Sequence, residues 1–426
     1  MTALMSADLF VLVGALIVAG LGIHVVILLF TAWRRVVLEI QRSKISLDLM
    51  ESEIDARRNH NLLEYERSAL SWNGTRKFKI LRKVPESDDV CSFYLAPHDG
   101  KLLPPFYPGQ YLTFQLKITG RDKAVIRCYS LSDSPSHRDR YRVTIKKIPP
   151  PRDQPEAPAG LASGFFHENL FEGNILDVKA PTGKFYLDLN RHAPVVLIGG
   201  GIGITPVLSM LTAICESGFK RETWFFYGVR NHREHIMHEF MQELAQQHDN
   251  IHLHVCYSDP GSDDRQGHDY HHSGFVSVEL MRRLLPSSNY EFYICGPPPM
   301  MESITRDLRE WGVPEEDIRF EAFGPATVRK AKAATGDARP TGEFTVEFVR
   351  SGKTLDWDPA FESLLEFAEE HGVPIDCGCR AGNCGTCLTA VRTGEVAYIN
   401  EPGETPEEGS CLTCISVPKS NLTLDA

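Results

Sequence analysis

The chain has 426 residues, with 45 Lys and Arg against 56 Asp and Glu and a formal net charge of −11. At 42% hydrophobic and 24% charged it has ordinary globular proportions, which exclude a disordered chain. The acidic balance argues against nucleic acid as a partner, and the length calls for more than one domain.

Residues 1–33 are predicted to be a membrane anchor. Leu9 to Trp33 contains no Asp, Glu, Lys or Arg, and as helix it would reach roughly 37 Å, enough to cross a hydrocarbon core of about 30 Å with some tilt. Arg34 and Arg35 follow at once, so the positive-inside rule places the rest of the chain in the cytoplasm of a bacterial-type inner membrane. A cleaved signal peptide fits less well, because the start lacks a basic region and no small-residue cleavage site follows. His24 inside the span is read as packed or snorkelling, since one ligand makes no metal site. Residues 34–71 hold no Gly or Pro before Leu70, and Leu47, Met50 and Ile54 recur at helical spacing. A helix leaving the membrane is expected, and self-pairing into a homodimer is open.

From Trp72 to about Asn190, short β-rich runs alternate with Pro and Gly turns: RKFKILRKV, YLTFQL, YRVTIKKI and ILDVKA. That texture predicts a small antiparallel barrel. One strand end reads Arg127-Cys128-Tyr129-Ser130-Leu131-Ser132. Farther on, Gly160-Leu161-Ala162-Ser163-Gly164 opens a predicted helix whose free N–H groups could seat a phosphate, with Arg127 adding a bidentate charge and Tyr129 a flat face. Pro149 to Pro158 reads as an inserted loop.

After Ala193 the pattern becomes strand and helix in alternation, as in PVVLIGGGIGITPVLSMLTAI, WFFYGV and EFYICG, which predicts a doubly wound parallel sheet. Gly199, Gly200, Gly201 and Gly203 would let the backbone approach a pyrophosphate, although GxGxTP matches the dinucleotide fingerprint only in part. Cys295, Gly296, Pro297 and Pro298 end a later strand on the ligand side of such a sheet. Arg230 and Arg233 follow the second strand, where a 2′-phosphate could be read or where they could simply be solvated. His268, His271 and His272 lie in a polar loop without structural-zinc spacing.

The strongest local signal lies near the C-terminus. Cys379, Cys384 and Cys387 stand in CRAGNCGTC and Cys414 in LTCISVP. C-x4-C-x2-C with a distant fourth Cys is the plant-type spacing of a [2Fe–2S] cluster. Gly382 and Gly385 would let that loop curve around the sulfurs. Cys377 and Cys411 are read as bystanders, with Cys411 a second candidate for the fourth ligand. Residues 342–426 hold fifteen acidic and five basic residues, a net −10 of the chain's −11. Such a field suits a docking face for a basic partner.

RCYSLS, GGGIGITPVLSM, YICGPPPMM and the ferredoxin run, in that order, resemble the ferredoxin–NADP reductase superfamily. The module order is similar to oxygenase reductases of the phthalate dioxygenase reductase type. The resemblance implies an α+β multidomain class: after the transmembrane helix, an antiparallel β-barrel flavin domain (72–190), a doubly wound α/β NAD(P) domain (191–330), a linker (331–341) and a β-grasp ferredoxin domain (342–426). It implies that Arg127 holds the flavin phosphate, that Tyr129 stacks on the isoalloxazine with Ser130 near its N5, and that Gly160, Leu161, Ala162 and Ser163 cradle the flavin phosphates. Gly200, Gly201, Gly203, Thr205 and Pro206 would line the dinucleotide site, with Gly296 and Pro297 beside it. Cys295 would lie near the nicotinamide, and Phe323 and Gly324 would close the flavin site. Tyr129, Ser130 and Cys295 are thus the implied catalytic positions. The implied cofactors are FAD (FMN the alternative), NADH (NADPH the alternative) and a [2Fe–2S] cluster, with an oxygenase or another redox protein as acceptor. The N-terminal anchor departs from the soluble members and resembles the F subunit of the sodium-translocating NADH:quinone reductase, whose ferredoxin module comes first rather than last. Three functions follow as expectations: an anchored NAD(P)H reductase for an oxygenase, a quinone-reducing subunit, or a relay module without enzymatic activity.

Overall fold

The computed structural model describes residues 2–426 apart from 121–123, 151–158, 219, 322, 324–343, 379, 381, 383–384, 400–401 and 403–405. The expected linker and Gly324, Cys379 and Cys384 therefore lie outside the described residues, as does most of the proline-rich insertion. The chain divides into two units, Met1–Tyr65 and Glu66–Ala426.

Helix α1 runs over Thr2–Leu70 without interruption; it holds no Pro, and its three glycines, Gly14, Gly20 and Gly22, all precede Arg34. Within the first unit, the described stretch long and apolar enough to cross a membrane is Gly20–Gln41. It starts and ends later than Leu9–Trp33 and takes in Arg34, Arg35 and Glu39. Its large apolar side chains, among them Leu21, Phe30 and Trp33, are exposed.

The second unit begins with the last turn of α1, which is tied to the barrel. Arg138 donates to Glu66 at 2.8 Å, and the Arg67 guanidinium lies 3.4 Å from the centroid of Tyr107. The barrel strands are β1 (Arg76–Ser87), β2 (Val90–Pro97), β3 (Tyr111–Leu116), β4 (Val125–Ser130), β5 (Tyr141–Lys146) and β6 (Ile175–Thr182), in the order β4-β3-β6-β1-β2-β5. All pairings in it are antiparallel. A single bridge, Leu131 to Val143, closes β5 back onto the end of β4. Phe78, Phe93, Phe114 and Phe166 fill the interior. Burying one such side chain stabilises a fold by roughly 1.5–3 kcal/mol. Phe166 comes from α2 (Leu161–Glu168), so the barrel core itself fixes where that helix begins.

The next layer is a six-stranded sheet, every pair of it parallel: β7 (Val195–Gly200), β8 (Thr223–Val229), β9 (Ile251–Tyr257), β10 (His272–Ser273), β11 (Glu291–Cys295) and β12 (Ile318–Glu321), in the order β10-β9-β8-β7-β11-β12. Alternate residues of β7 face opposite cores. Val195 and Leu197 pack with α3 (Ile204–Glu216) and α4 (His238–Gln247). Val196 and Ile198 pack with α5 (Val278–Leu284) and α6 (Pro298–Glu310). Helices on both faces explain why VVLIGG is apolar throughout instead of alternating.

The C-terminal sheet holds β13 (Thr345–Phe348), β14 (Lys353–Asp356), β15 (Leu388–Thr393), β17 (Ser410–Leu412) and β19 (Leu422–Leu424), in the order β14-β13-β19-β15-β17. A separate pair joins β16 (Val396–Tyr398) to β18 (Ser416–Pro418). Helix α7 (Leu364–Glu370) packs on this domain's core, its N-terminus capped by Ser363 Oγ, which accepts from the Glu366 N–H at 3.2 Å.

Candidate functional site

A cleft of about 290 Å³ opens where the three domains of the second unit meet. Arg127, Tyr129 and Ser130 line one wall, and Thr144, Ile145 and Lys146 of β5 with Ile148 just past it line another, with the helix start Gly160–Ser163 between. Ile202 and Thr205 enter from the nucleotide domain, Glu321 from the end of β12 and Phe323 from just beyond it, and Gly378 and Arg380 from the ferredoxin domain.

The barrel places its residues by strand register. β3 pairs Phe114 with Arg127 and Leu112 with Tyr129, so the two β4 side chains two apart share a face. Tyr129 is held edge-on by Phe114 at 5.8 Å and Phe166 at 5.2 Å. Burial pushes its phenol above the usual range, so at neutral pH it is a protonated platform and not a base. The Arg127 guanidinium donates to its neighbour's carbonyl, Ile126 O, at 2.7 Å.

The start of α2 carries a lock that sequence reading did not anticipate. Ser163 Oγ donates to Gly160 O at 3.0 Å and accepts the Ile148 N–H at 3.1 Å. The hydroxyl therefore pins the helix start to the strand, leaving the backbone N–H groups of the first turn as the candidate anion seat. A flat aromatic face, one guanidinium and a helix N-terminus form a donor set that fits a flavin nucleotide.

The glycine-rich turn after β7 has a second reason for its glycines. A Cβ on Gly203 would lie 2.3 Å from Cys295 O, and one on Gly200 would lie 2.7 Å from Met300 Sδ. The turn is packed against the end of β11 and the start of α6, so these glycines serve the internal close approach of two chain segments as well as access to any ligand. Of the expected nucleotide-site residues, Thr205 lines the cleft, while Gly200, Gly201, Gly203, Pro206, Gly296 and Pro297 are not part of its lining. Cys295 is fully enclosed in the nucleotide-domain core, and burial raises its thiol well above the usual range. In this structure its side chain does not line the cleft where a catalytic group would stand. Arg230 and Arg233 are exposed beyond β8, with Arg230 3.5 Å from Glu234.

In the ferredoxin domain, the pairing of Leu388 with Leu412 brings Cys387 beside the turn that holds Cys414. Thr413 Oγ1 locks them together by donating to Cys387 O at 3.1 Å. Cys387 and Cys414 are buried in one small apolar cluster with Leu412 and Ile415. Cys411 belongs to the main domain core instead, with Val346 and Phe348, and burial pushes its thiol up to about 12. That separation favours Cys414 over Cys411 as fourth ligand. Gly382 and Gly385 both have positive φ, 80° and 65°, and a Cβ on Gly382 would meet Ile415 Cδ1 at 2.4 Å. A curved loop over two buried thiols fits a small iron–sulfur cluster. Among the described residues no three His, Cys, Asp or Glu are grouped to hold a metal. The histidine-rich loop is instead engaged internally: His271 Nδ1 accepts the Val255 N–H at 2.9 Å, and His272 Nε2 lies 3.0 Å from His254 Nδ1.

Sequence reasoning missed the far wall of the cleft. Lys146 and Ile148 lay in a recognised strand, but nothing marked its end as the partner of β4. Arg380 was visible only as the spacer between two cysteines. Its φ of 55° is rare for a residue with a side chain and costs on the order of 1–2 kcal/mol.

Models of three families match consecutive stretches: the oxidoreductase FAD-binding domain over residues 77–186, the oxidoreductase NAD-binding domain over 197–306 and the 2Fe-2S iron-sulfur cluster binding domain over 347–419. Phthalate dioxygenase reductase, a solved modular structure for electron transfer from pyridine nucleotides to [2Fe–2S], is 27% identical. It covers 83% of this chain and 98% of its own at a TM-score of 0.54. The chain belongs to the ferredoxin–NADP reductase superfamily. It carries a C-terminal [2Fe–2S] domain, binds FAD and NAD, and is an NAD(P)H-dependent oxidoreductase. The FAD/NAD-binding domain of the nitric oxide dioxygenase of Vibrio cholerae is 31% identical, with 59% of this chain and all of that one covered and a TM-score of 0.53. A flavohemoprotein of Halalkalibacterium halodurans is 38% identical over 255 residues, 60% of this chain and 61% of the relative. The chain thus spans about three fifths of the length of the curated relatives it matches, over their FAD and NAD part.

Proposed function

We propose that the chain is a membrane-anchored reductase component that takes electrons from NADH and delivers them singly, through its cluster, to an oxygenase-type metal centre in a separate protein. One observation carries this reading: the flavin cleft has walls from all three domains, and its ferredoxin wall, Gly378 and Arg380, flanks the cluster ligand position Cys379. When bound, the flavin would accept a hydride and release single electrons, which links a two-electron donor to a one-electron cluster.

The chain's own residues position and insulate. Tyr129, fixed by two phenylalanines, offers a flat face that neither gives nor takes a proton. Arg127 and the first turn of α2 complement the flavin phosphates. Ile202, Thr205 and Phe323 form the side from which a nicotinamide would enter. Ile126 of the barrel packs against the apolar cluster that buries Cys387 and Cys414, an apolar contact between the flavin and ferredoxin domains. The acidic C-terminal domain supplies the field that would steer a basic acceptor. Gly20–Gln41 would hold the chain at a bilayer.

Anaerobic titration of the purified chain with NADH and, separately, NADPH tests this. NADH should bleach both the flavin and the iron–sulfur absorbance, and deletion of residues 2–41 should release the protein from phospholipid vesicles. A flavin that bleaches while the cluster stays oxidised would overturn the series arrangement.

A further inference from the structure

Arg380 occupies an unusual position between the two redox centres. Its side chain lines the flavin cleft opposite a barrel wall that holds Tyr129 and Lys146. Nη2 donates to Glu369 on α7 and lies 3.6 Å from Cys377 Sγ. Nε is enclosed and has no hydrogen-bond partner among the described residues. The backbone at this residue is left-handed, with φ 55°. A guanidinium tethered to one carboxylate, in a residue that lines a cleft shaped for a ring that gains electrons, is arranged to meet negative charge.

We propose that Arg380 is a positioning residue for flavin-to-cluster transfer: moored by Glu369, it presents its guanidinium charge to the reduced flavin and so holds the ferredoxin domain against the cleft while the flavin carries electrons. The inference rests on the reductase reading above. The electrons balance as follows. Hydride leaves the nicotinamide and forms the N–H bond at flavin N5. Two electrons then pass one at a time to the cluster, each reducing one ferric ion, and the cluster is reoxidised by the external ferric acceptor between them. The N5 proton returns to solvent. Once both electrons and the N5 proton have left, the flavin ring would be neutral again, and the pull on Arg380 would have ended. Docking of the ferredoxin domain is thereby linked to the flavin's redox state.

The test uses the full-length holoprotein in detergent, comparing wild type with R380Q, R380K and E369Q. Flavin midpoint potentials come from dye-equilibrated reduction, and the flavin and cluster phases from stopped-flow mixing with NADH. R380Q should shift the flavin potential negative and slow the cluster phase about tenfold more than the flavin phase. R380K should recover part of both. E369Q, which leaves the cysteine loop unaltered, should move both in the same direction by less, and it decides the matter if R380Q fails to assemble its cluster. An R380Q protein with full FAD and iron, and with potential and phase ratio equal to wild type, overturns the proposal. So does an E369Q protein unchanged in both when R380Q cannot be made. A wild type lacking flavin or iron would instead overturn the reading beneath it.

Discussion

On the barrel side of the cleft, Arg127, Tyr129 and Ser130 stand in a strand whose register against β3 runs through six successive pairs. On the ferredoxin side, Gly378 and Arg380 stand in a loop shaped by left-handed backbone at Arg380, Gly382 and Gly385. The first wall is a lattice: its side chains are fixed by hydrogen bonds that form whether or not a ligand is present. The second is held by docking, through Ile126 against the thiol cluster and Lys179 4.0 Å from Asp376, and a bound cluster would add its bonds to the cysteines. The difference separates binding from relay. Flavin affinity should belong to the lattice, and onward transfer to the loop.

The largest expected effect comes from dismantling the loop wall. Cys414→Ser should abolish cluster absorbance and the reduction of one-electron protein acceptors, while FAD content stays near that of wild type. Co-purified flavin and iron measure this directly, and loss of FAD together with iron would show that the two walls are not separable. Next is the lattice wall. Removing the Arg127 guanidinium as Arg127→Ala should weaken FAD binding by roughly 10- to 100-fold, the value of one or two charge-assisted hydrogen bonds, with iron content unchanged. Fluorescence titration of the deflavinated protein with FAD reads it. An unchanged dissociation constant would move phosphate recognition entirely to the start of α2.

The smallest effect lies outside both walls and marks the nucleotide domain. His235 is buried, its Nδ1 2.8 Å from Tyr257 OH, and burial, with the nearby charges of His238 and His232, lowers its pKa to about 3. The unfolded chain takes up this proton near pH 6.5 and the folded chain does not, so the unfolded state binds more protons between about pH 3 and 6.5. Stability is complete above that window and falls as the pH drops through it, by roughly 2 kcal/mol between pH 6.5 and 5. The unfolding midpoint of the nucleotide domain should fall over this range in wild type and stay flatter in His235→Asn. Equal slopes in the two proteins would assign the pH dependence to other groups.

What the sequence made legible follows the same division. The RCYSLS strand, the helix after Gly160 and the βα turn at Gly199–Gly203 could be placed because strand alternation, capping and glycine spacing are local. The spacing of Cys379, Cys384 and Cys387 was as legible, since metal ligands on one loop must lie close in sequence. Arg380 in the cleft was not, because its neighbours come from another domain, and no local period encodes a docking surface. The enclosure of Cys295 escaped notice for a related reason: a strand end facing the ligand side of a sheet does not tell which way the side chain on it points. The choice between Cys411 and Cys414 also needed the fold, since it depends on which core the three-residue strand and the turn after it each meet.

The single bridge between Leu131 and Val143 has a further consequence. Below it, β4 and β5 diverge, and the residues on either side of the gap, Arg127 to Ser130 and Thr144, Ile145, Lys146 and Ile148, line the cleft. The cask is built one stave short, and a flavin seated there would stand as the missing piece of its wall. Assembly of this protein would then have a preferred order: the polypeptide closes loosely first, and the pigment tightens the hoop.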